Sequence, residues 1–320
     1  VLLIVPMFHA CGWGVPYSAA MAGAKVVFPG AALDGPSVCE LLNHEECTLS
    51  MGVPTVWLGL LAHLDKHPES KPKHLTRMLS GGSAAARSLM ARLESELSVD
   101  VIHLWGMTEM SPVGTGALRP RRWDSMSTDE KLDLKVKQGR VMWGVEMKIV
   151  DDNGVELPHD GKAFGMVKVR GPWIAKSYFR GEGGEIVDAD GFFSTGDVAT
   201  LDPEGYMQIT DRAKDVIKSG GEWISSIDLE NAALAHPAVQ EAAVIGIAHP
   251  TWQERPLLLA VLKAGSTTTR DELLSVLSQK VAKWWLPDDI LFVSELPHTA
   301  TGKLNKLKLR ELYQHHKLPT

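Results

Sequence analysis

Apolar and polar positions follow one another along the first hundred residues in a way that predicts strands and helices in turn. Short apolar runs typical of buried strands occur at 1–5, 48–53, 75–80 and 99–104. Between them, apolar residues recur at helical spacing in 36–46 and 54–67. Strands that alternate with helices are joined by right-handed crossovers into a largely parallel sheet. Ligands bind such sheets at the carboxyl ends of the strands, where Gly81-Gly82 and Trp105-Gly106 occur.

The pattern changes twice further along the chain. From Gly139, apolar and polar residues alternate with period two, as in Glu146–Val150 and Met166–Arg170, which predicts a small antiparallel β subdomain. From residue 213 a third set of strands and helices follows, one of them opened by a capping box at Thr269–Glu272. The predicted fold class is α/β, with a parallel-sheet subdomain (1–138), an antiparallel β subdomain (139–212) and a separate small α+β C-terminal domain (213–320).

A short charged stretch joins the large region to the small C-terminal one. It spans Ile209–Ser225 and reads ITDRAKDVIKSGGEWIS. Charged segments that contain glycine and lie between two such regions are typical of domain joints. We therefore predict that this stretch is a hinge, and that it also carries groups of an active site.

Composition and charge exclude several classes of protein. The net charge is -6, so no basic face for nucleic acid is indicated. The cysteines, Cys11, Cys39 and Cys47, show no CxxC spacing and cannot all pair, which favours a reducing compartment and hence the cytoplasm. The apolar run at the start is too short to span a bilayer and lacks the features of a signal peptide. Because that run resembles a strand cut from its context, we expect an N-terminal portion of the protein to be absent from this chain.

Two short motifs place polar groups at predicted strand ends. In Trp105-Gly-Met-Thr-Glu109, a ring that can stack on a base precedes a hydroxyl suited to a phosphate and a carboxylate suited to magnesium. In Ser194-Thr-Gly-Asp197, a carboxylate after a glycine turn can accept hydrogen bonds from both hydroxyls of a ribose. Each motif also has a purely structural interpretation, as a polar turn beside a core tryptophan and as an Asx-type turn.

Two further motifs carry basic residues. The run DRAKDVIK at 211–218 contains either site groups or the solvated charges of a linker. The sequence PHTATGK at 297–303 puts a glycine beside a lysine, whose ammonium can then approach a phosphate or carboxylate as a point charge. It lacks the Gly-x-x-x-x-Gly-Lys-Ser/Thr spacing of a Walker loop. Taken singly, each of these motifs is a weak indication.

Their order and spacing together are specific. The series aromatic-Gly-x-Thr-Glu, Ser-Thr-Gly-Asp, Asp-Arg-x-Lys-Asp with Lys-x-Gly-Gly-Glu, and Pro-x-Thr-x-x-Gly-Lys resembles the signature of the adenylate-forming superfamily. That superfamily includes acyl-CoA synthetases, beetle luciferases and peptide-synthetase adenylation domains, and the resemblance covers essentially the whole chain. Within it, Pro6-Met-Phe-His9 with Trp13, and Gly221–Ser226, are most similar to medium- and long-chain fatty-acyl-CoA synthetases.

The resemblance implies a reaction in two halves that uses ATP, magnesium and CoA. The carboxylate of a fatty acid attacks the α-phosphate of ATP, which gives acyl-adenylate and pyrophosphate, and the thiol of CoA then displaces AMP. Trp105 would stack on adenine, Thr108 would bond the α-phosphate and Glu109 would hold magnesium. Asp197 and Arg212 would hold the ribose. The residues implied for the nucleotide are Gly81, Gly82, Ser83, Trp105, Gly106, Thr108, Asp197 and Arg212.

For the acid, the resemblance implies a pocket with His9 beside the carboxylate and Trp13 gating a tunnel. Val53, Pro54 and Thr55 would line it, or form a plain strand-to-helix turn. These positions imply a tunnel but do not measure its depth.

The C-terminal domain, by the same resemblance, is a mobile lid. Lys303 would neutralise charge between the α-phosphate and the acid in the first half-reaction. After rotation about Lys214, Lys218 and the face formed by Gly220, Gly221, Glu222 and Trp223 would take part in the CoA step.

One departure from the family pattern affects activity. The Ser/Thr/Gly-rich phosphate loop that ends in Pro-Lys-Gly would lie upstream of Pro6 and is absent from this sequence. We therefore expect the chain alone to be impaired, and the resemblance implies a homodimer for the full-length protein. Peripheral association with a membrane is a further prediction for the full-length protein. The alternatives are an adenylating enzyme that passes its acyl group to a carrier protein or another nucleophile, and a non-catalytic acyl or nucleotide binding module.

Overall fold

The computed structural model describes residues 1–82, 85–299 and 303–319, and they divide into two compact units. The N-terminal unit comprises residues 1–195 and 199–209. The C-terminal unit comprises residues 196–198 and the described chain from residue 210 onward. Because residues 196–198 belong with the second unit, Asp197 is grouped with the hinge stretch. The domain boundary after residue 212 stays a prediction.

The first sheet of the N-terminal unit is parallel for most of its width. Its strands, in spatial order, are β1 (Leu2–Leu3), β2 (Leu49–Gly52), β3 (Arg77–Ser80), β4 (Asp100–Gly106), β5 (Val113–Gly116) and β6 (Arg140–Val141). The pairs from β1 to β4 are parallel, whereas β5 and β6 add on in antiparallel fashion. The predicted parallel α/β sheet is therefore confirmed, with an antiparallel edge that the hydrophobic pattern did not indicate.

The helices of this unit connect or flank those strands. They are α1 (Ala10–Trp13), α2 (Val15–Met21), α3 (Gly35–His44), α4 (Pro54–Leu64), α5 (Arg87–Leu97) and α6 (Thr128–Lys135). One core packs α3, α4 and α5 against the parallel strands, with the fully buried Trp57 and Met78 in it. Among the described residues, no helix has the length and apolar character needed to cross a bilayer.

A second sheet follows, as the period-two pattern predicts. It consists of β7 (Glu146–Val150), β8 (Phe164–Arg170), β9 (Phe193–Leu201) and β10 (Met207–Arg212), in the order β10-β9-β8-β7. Strands β7 and β8 pair antiparallel over their central residues. Their apolar face forms a core with Trp105 and Met110, so the sheet packs against the end of β4 and the turn that follows it.

The C-terminal unit is built around a sheet with both faces covered. Its elements are β11 (Ile217–Ser219), β12 (Glu222–Ile224), α7 (Ser226–Leu234), β13 (Val239–His249), β14 (Gln253–Leu262), α8 (Arg270–Ser278), β15 (Asp289–Phe292) and α9 (Lys306–Tyr313). Val244 and Leu258 face one core with α7 and α8, whereas Ile245 and Leu257 face another with α9. Burial on both faces explains the unbroken apolar run at the centre of β14. The capping box predicted at Thr269 and Glu272 is confirmed.

The glycine pair of the hinge stretch is the turn of a hairpin. Strands β11 and β12 pair antiparallel, with Ser219 opposite Glu222 and Lys218 opposite Trp223. Gly220 and Gly221 form the loop between them, with φ of +61° and +88°. A two-residue hairpin loop of type I′ needs positive φ at both central positions, which only glycine adopts without strain. The sequence pattern predicted a hinge at these glycines and did not predict the hairpin.

Candidate nucleotide and acyl sites

The glycines at the end of β3 let its backbone approach β4 closely. A Cβ atom on Gly81 would lie 3.2 Å from the carbonyl oxygen of Leu104 on β4, and Gly82 has a φ of +85°. Both positions therefore favour glycine for steric or conformational reasons. Ser83, the third residue predicted here, lies outside the described residues.

Trp105 and Gly106 end β4, as predicted, and are fixed by the chain that returns beside them. The Met107 amide donates to the carbonyl oxygen of Pro112 at 2.9 Å, and a Cβ on Gly106 would lie 1.9 Å from that oxygen. The Trp105 indole is 7% exposed and packs over Gly114. In this conformation a base could reach only a small part of the ring, and adenine stacking stays a prediction.

Glu109 is held on a single 3-10 turn, Thr108–Met110, that follows β4. Its backbone carbonyl accepts a hydrogen bond from the Ala175 amide at 2.8 Å. The Tyr178 hydroxyl donates to its carboxylate oxygen Oε1 at 2.7 Å. Thr108, one residue earlier, is exposed. The turn thus presents a hydroxyl and a half-buried carboxylate side by side.

Asp197 and Arg212 form an ion pair within the C-terminal unit. Asp197 Oδ1 lies 2.6 Å from Arg212 Nε, and the aspartate side chain is 2% exposed while the arginine is 48% exposed. The preceding Gly196 has a φ of +74° and accepts a hydrogen bond from the Ala213 amide at 2.9 Å. The structure therefore brings together two residues that the sequence assigned to the ribose from motifs fifteen positions apart.

Lys214 and Lys218 lie on either side of a turn that leads into the hairpin. Asp215 and Val216 both donate backbone hydrogen bonds to the Arg212 carbonyl at 2.8 Å, which closes the turn around the exposed Lys214. Lys218 is exposed and stands opposite the half-buried Trp223 in the hairpin. Cross-strand neighbours of this kind have their side chains on the same face, so the structure brings two of the predicted CoA-site residues together.

Lys303 follows Ala300–Gly302, which lie outside the described residues. Its carbonyl accepts a hydrogen bond from the Thr299 amide at 2.7 Å, and its own amide donates to Thr299 Oγ1 at 3.2 Å. The next turn is anchored by the Asn305 amide, which donates to the Pro297 carbonyl at 2.8 Å. These bonds join Thr299 to the predicted catalytic Lys303, and Pro297 to Asn305.

The residues predicted for the acid lie on α1 and at the start of α4 in the N-terminal unit. His9 is the N-cap of α1, where its Nδ1 accepts a hydrogen bond from the Cys11 amide at 3.1 Å. Because Nδ1 accepts, a neutral His9 carries its proton on Nε2. Trp13 ends α1 with 49% of its surface exposed. Val53 is the N-cap of α4, which Pro54 and Thr55 begin.

Comparison with known families decides the affiliation of the chain. The profile of the AMP-binding enzyme family matches residues 1–179, and that of the AMP-binding enzyme C-terminal domain matches residues 228–303. The chain belongs to the AMP-binding enzyme family. The resemblance drawn from the motifs is thereby confirmed at the level of the family.

Individual relatives of this AMP-binding enzyme family member carry the comparison further. It is 50% identical over 313 residues to a medium-chain-fatty-acid–CoA ligase of Ectopseudomonas oleovorans, covering 98% of this chain and 57% of the relative. It is 50% identical over 314 residues to a 3-methylmercaptopropionyl-CoA ligase of Ruegeria lacuscaerulensis, covering 98% and 58%. The chain thus spans little more than half the length of these curated relatives.

A solved structure shares the fold. The o-succinylbenzoate CoA synthetase of Bacillus subtilis, in complex with its acyl-adenylate intermediate, superposes with a TM-score of 0.79 at 29% identity. The superposition covers 97% of this chain and 60% of the synthetase. This likeness confirms the predicted acyl-CoA synthetase-like fold.

Sequence reasoning missed Tyr178 in this AMP-binding enzyme family member. The bond to Glu109, 69 positions away in the chain, raises the pKa of the Tyr178 phenol, with burial adding to the effect. The phenol therefore keeps its proton and donates through neutral pH. No motif pointed to it, because a lone tyrosine in the sequence Lys-Ser-Tyr-Phe-Arg carries no spacing signal.

A buried ionic network in the C-terminal unit was also missed. Lys306 Nζ lies 2.7 Å from Glu230 Oε1 and donates to Ser226 Oγ at 2.5 Å. Asp211 Oδ2 accepts from the Ser226 amide at 2.6 Å. Burial acts to lower the pKa of the Lys306 ammonium, but the facing carboxylates of Glu230 and Asp211 raise it overall. The network joins the hinge stretch to the starts of α7 and α9.

Proposed function

We propose that this chain is the nucleotide-binding and lid portion of an ATP-dependent acyl-CoA ligase. The reaction joins a medium- or long-chain fatty acid to CoA through an acyl-adenylate. The observation that carries the proposal is the ion pair of Asp197 and Arg212, with its atoms 2.6 Å apart. A buried carboxylate and a half-exposed guanidinium presented together can accept from and donate to the adjacent hydroxyls of a ribose.

The residues around Glu109 fit a magnesium ion that is shared with a nucleotide. Among the described residues, no cluster of three or more His, Cys, Asp or Glu side chains could hold a metal. Magnesium is commonly bound by one or two carboxylates together with substrate phosphates and water, rather than by an all-protein cage. Glu109 would supply that carboxylate, and the ion would neutralise charge on the phosphates. The half-buried carboxylate, with Tyr178 bonded to Oε1, suits this role.

In the first half-reaction, the acid oxygen attacks the α-phosphorus of ATP and pyrophosphate leaves. The exposed Thr108 hydroxyl is suited to donate to an α-phosphate oxygen. The Lys303 ammonium would neutralise the charge that builds up between the carboxylate and the phosphate. For the acid, His9 would donate from Nε2 to the carboxylate, and Trp13, Val53, Pro54 and Thr55 would line its chain.

In the second half-reaction, the CoA thiol attacks the acyl carbon and AMP leaves. We assign the hairpin face of Lys218, Gly220, Gly221, Glu222 and Trp223 to this step, with Lys214 as the pivot of residues 213–320. The two glycines support the assignment, because a turn without side chains lets a slender pantetheine arm pass close to the backbone.

The relatives support a CoA ligase and leave more than one acid open. At 50% identity, one is named for a medium-chain fatty acid and another for 3-methylmercaptopropionate. We retain the fatty acid because Pro6–His9 and Trp13 resemble the corresponding positions of fatty-acyl-CoA synthetases. A homodimer, peripheral membrane association and a cytoplasmic location stay predictions of the same proposal.

The complete gene product allows a two-stage test. ATP–pyrophosphate exchange is measured with fatty acids of increasing length, 3-methylmercaptopropionate and benzoate, and thioester formation is then measured with CoA. We expect magnesium-dependent exchange that is greatest with a medium- or long-chain fatty acid, followed by acyl-CoA. If benzoate exceeds every fatty acid, the acyl assignment is wrong. Adenylate formed without transfer to CoA would favour a carrier protein or another nucleophile.

A substitution at Asp197, which pairs with Arg212 in the proposed ribose site, tests the proposal further. Asp197→Asn should lower kcat/KM for ATP about 10- to 100-fold, as expected for loss of a charge-assisted hydrogen bond. The control is Glu204→Gln, whose carboxylate is bound by Arg122 at 2.8 Å near the surface. Equal effects of both substitutions would contradict a ribose role for Asp197.

A further inference from the structure

Arg255 joins the glycine hairpin to a distant loop of the C-terminal unit. Its Nη1 donates to Ser219 Oγ at 3.1 Å and to the Trp284 carbonyl at 2.8 Å. Its Nη2 donates to the Leu286 carbonyl at 3.0 Å, and its Nε to Asp288 Oδ1 at 2.8 Å. The arginine side chain is 13% exposed. All three guanidinium nitrogens thus donate hydrogen bonds, and one acceptor is Ser219, which directly precedes Gly220.

The turn needs such support from outside because its own strands are short. Strands β11 and β12 are three residues each, and β11 meets β14 at Ser219 and Gln253. Glycine also has more backbone freedom to lose than any other residue. The position of Gly220 and Gly221 therefore depends on contacts made by the strand behind them.

The start of β14 supplies those contacts. The Lys218 amide donates to Glu254 Oε2 at 2.9 Å, and the Gly220 amide donates to the Trp252 carbonyl at 2.9 Å. The Trp252 ring lies so close to Gly220 that a Cβ there would be 2.7 Å from it. Together with Arg255, this short segment fixes the backbone on both sides of the turn and the side chain of Ser219.

We propose that Arg255 is a positioning residue for the CoA half-reaction, which rests on the function proposed above. It holds Ser219, and through Ser219 the Gly220-Gly221 turn, in the position that receives the pantetheine arm. Lysine cannot replace it, because a single ammonium cannot reach Ser219, two carbonyls and Asp288 in the directions that a guanidinium fork covers. Because its donors are engaged by Ser219, Asp288 and two backbone carbonyls, Arg255 would act through the geometry of the turn.

The test compares Arg255→Lys with Arg270→Lys, first by hydrogen exchange. Arg270 is a matched control because its Nη1 binds Asp289 at 2.8 Å and its Nη2 the neighbouring Asp288 carbonyl, without touching the hairpin. We expect Arg255→Lys to speed exchange of the Lys218 and Gly220 amides about tenfold, the equivalent of one charge-assisted hydrogen bond. Arg270→Lys should leave both amides unchanged. Unchanged exchange in Arg255→Lys would overturn the proposal, whether or not the protein proves to be a ligase.

Kinetics of the complete gene product provide the second readout. Arg255→Lys should raise KM for CoA about tenfold and leave ATP–pyrophosphate exchange within about twofold of the parent protein. Ser219→Ala, which removes only the hydroxyl acceptor, should reproduce part of the change in KM. Equal loss of both half-reactions would show a general structural defect and overturn the positioning role. If the parent protein forms adenylate but no acyl-CoA, the proposed function fails, and hydrogen exchange alone decides the role of Arg255 in holding the turn.

Discussion

The carboxylates inside the C-terminal unit and the carboxylate of Glu109 in the N-terminal unit are held in opposite ways. Glu230 lies 2.7 Å from the Lys306 ammonium and also accepts from the Val244 amide at 2.8 Å. Glu109 is half-buried, and the side chain bonded to it is the neutral phenol of Tyr178. Glu230 has a charged and a backbone partner from its own fold. Among the residues that the structure describes, Glu109 forms no ion pair, and Tyr178 donates to it as a neutral group.

Whether a carboxylate is bound to a cation distinguishes structural carboxylates from candidate site carboxylates better than a shifted pKa does. Burial raises the pKa of Asp228 to about 6, and the neighbouring Asp211 acts in the same direction. Perturbed pKa values often mark active sites, but buried ion networks perturb them too. Here Asp211, Asp228 and Glu230, whose pKa values are raised by burial, belong to the hinge stretch and α7, and the carboxylate suited to magnesium lies elsewhere.

The largest expected effect on stability comes from breaking the buried ionic network around Lys306. Lys306→Met should lower the free energy of unfolding of the C-terminal unit by about 3–5 kcal/mol, because removing one partner leaves buried carboxylates without a counter-charge. Urea unfolding followed by tryptophan fluorescence measures it. Lys308→Met is the control, since its exposed pair with Glu311 at 3.2 Å should contribute less than about 0.5 kcal/mol. Similar losses for both variants would contradict the structural role of the network.

A smaller effect is expected at Asp228, and it depends on pH. The folded-state pKa is about 6 against an ordinary value of 3.8. Since the folded state binds the proton more tightly, the contribution of this group to stability is greatest below pH 3.8 and is lost as the pH rises through 6. Asp228→Asn removes the ionisable group and should therefore stabilise the protein above pH 6, by up to about 3 kcal/mol.

Unfolding measured at pH 4 and pH 7.5 tests this prediction. The gain from Asp228→Asn should be larger at pH 7.5 than at pH 4. The control is Asp271→Asn, which alters an exposed carboxylate in the first turn of α8, as Asp228 lies in the first turn of α7. The prediction is wrong if the two variants show the same dependence on pH.

Much of the fold follows from local patterns in the sequence. The parallel strands, the period-two pair β7 and β8, and the capping box at Thr269 were predictable because each depends on residues close together in the chain. Strand β5 was not, because its sequence Val-Gly-Thr-Gly has no apolar alternation and the glycines are required by neighbours. A Cβ on Gly114 would lie 2.7 Å from the Trp105 ring, a contact that exists only after folding.

The candidate site divides in the same way. The order of the motifs predicted that Asp197 and Arg212 bind one ribose, and in the structure the two side chains form an ion pair. Tyr178 and Arg255 escaped because each acts through a partner that the fold brings close, Glu109 in one case and Ser219 in the other. The hairpin itself was predictable in principle, since two glycines between short β-prone segments are a known turn signal.

The smallest expected effect on stability is at Tyr178. This position also tests most directly whether Glu109 differs from the carboxylates of the buried network. Tyr178→Phe removes the hydroxyl bonded to Glu109 but keeps the ring, which is already 40% exposed, so the free energy of unfolding should change by less than about 1 kcal/mol. If Glu109 binds magnesium as proposed, loss of the partner that orients its carboxylate should weaken magnesium binding about tenfold. Manganese bound beside a non-hydrolysable ATP analogue, measured by electron paramagnetic resonance, gives a readout independent of turnover. Tyr17→Phe, at a 69% exposed position, is the control. Unaltered manganese affinity in Tyr178→Phe would mean that the hydrogen bond to Glu109 is structural, like those of the buried network.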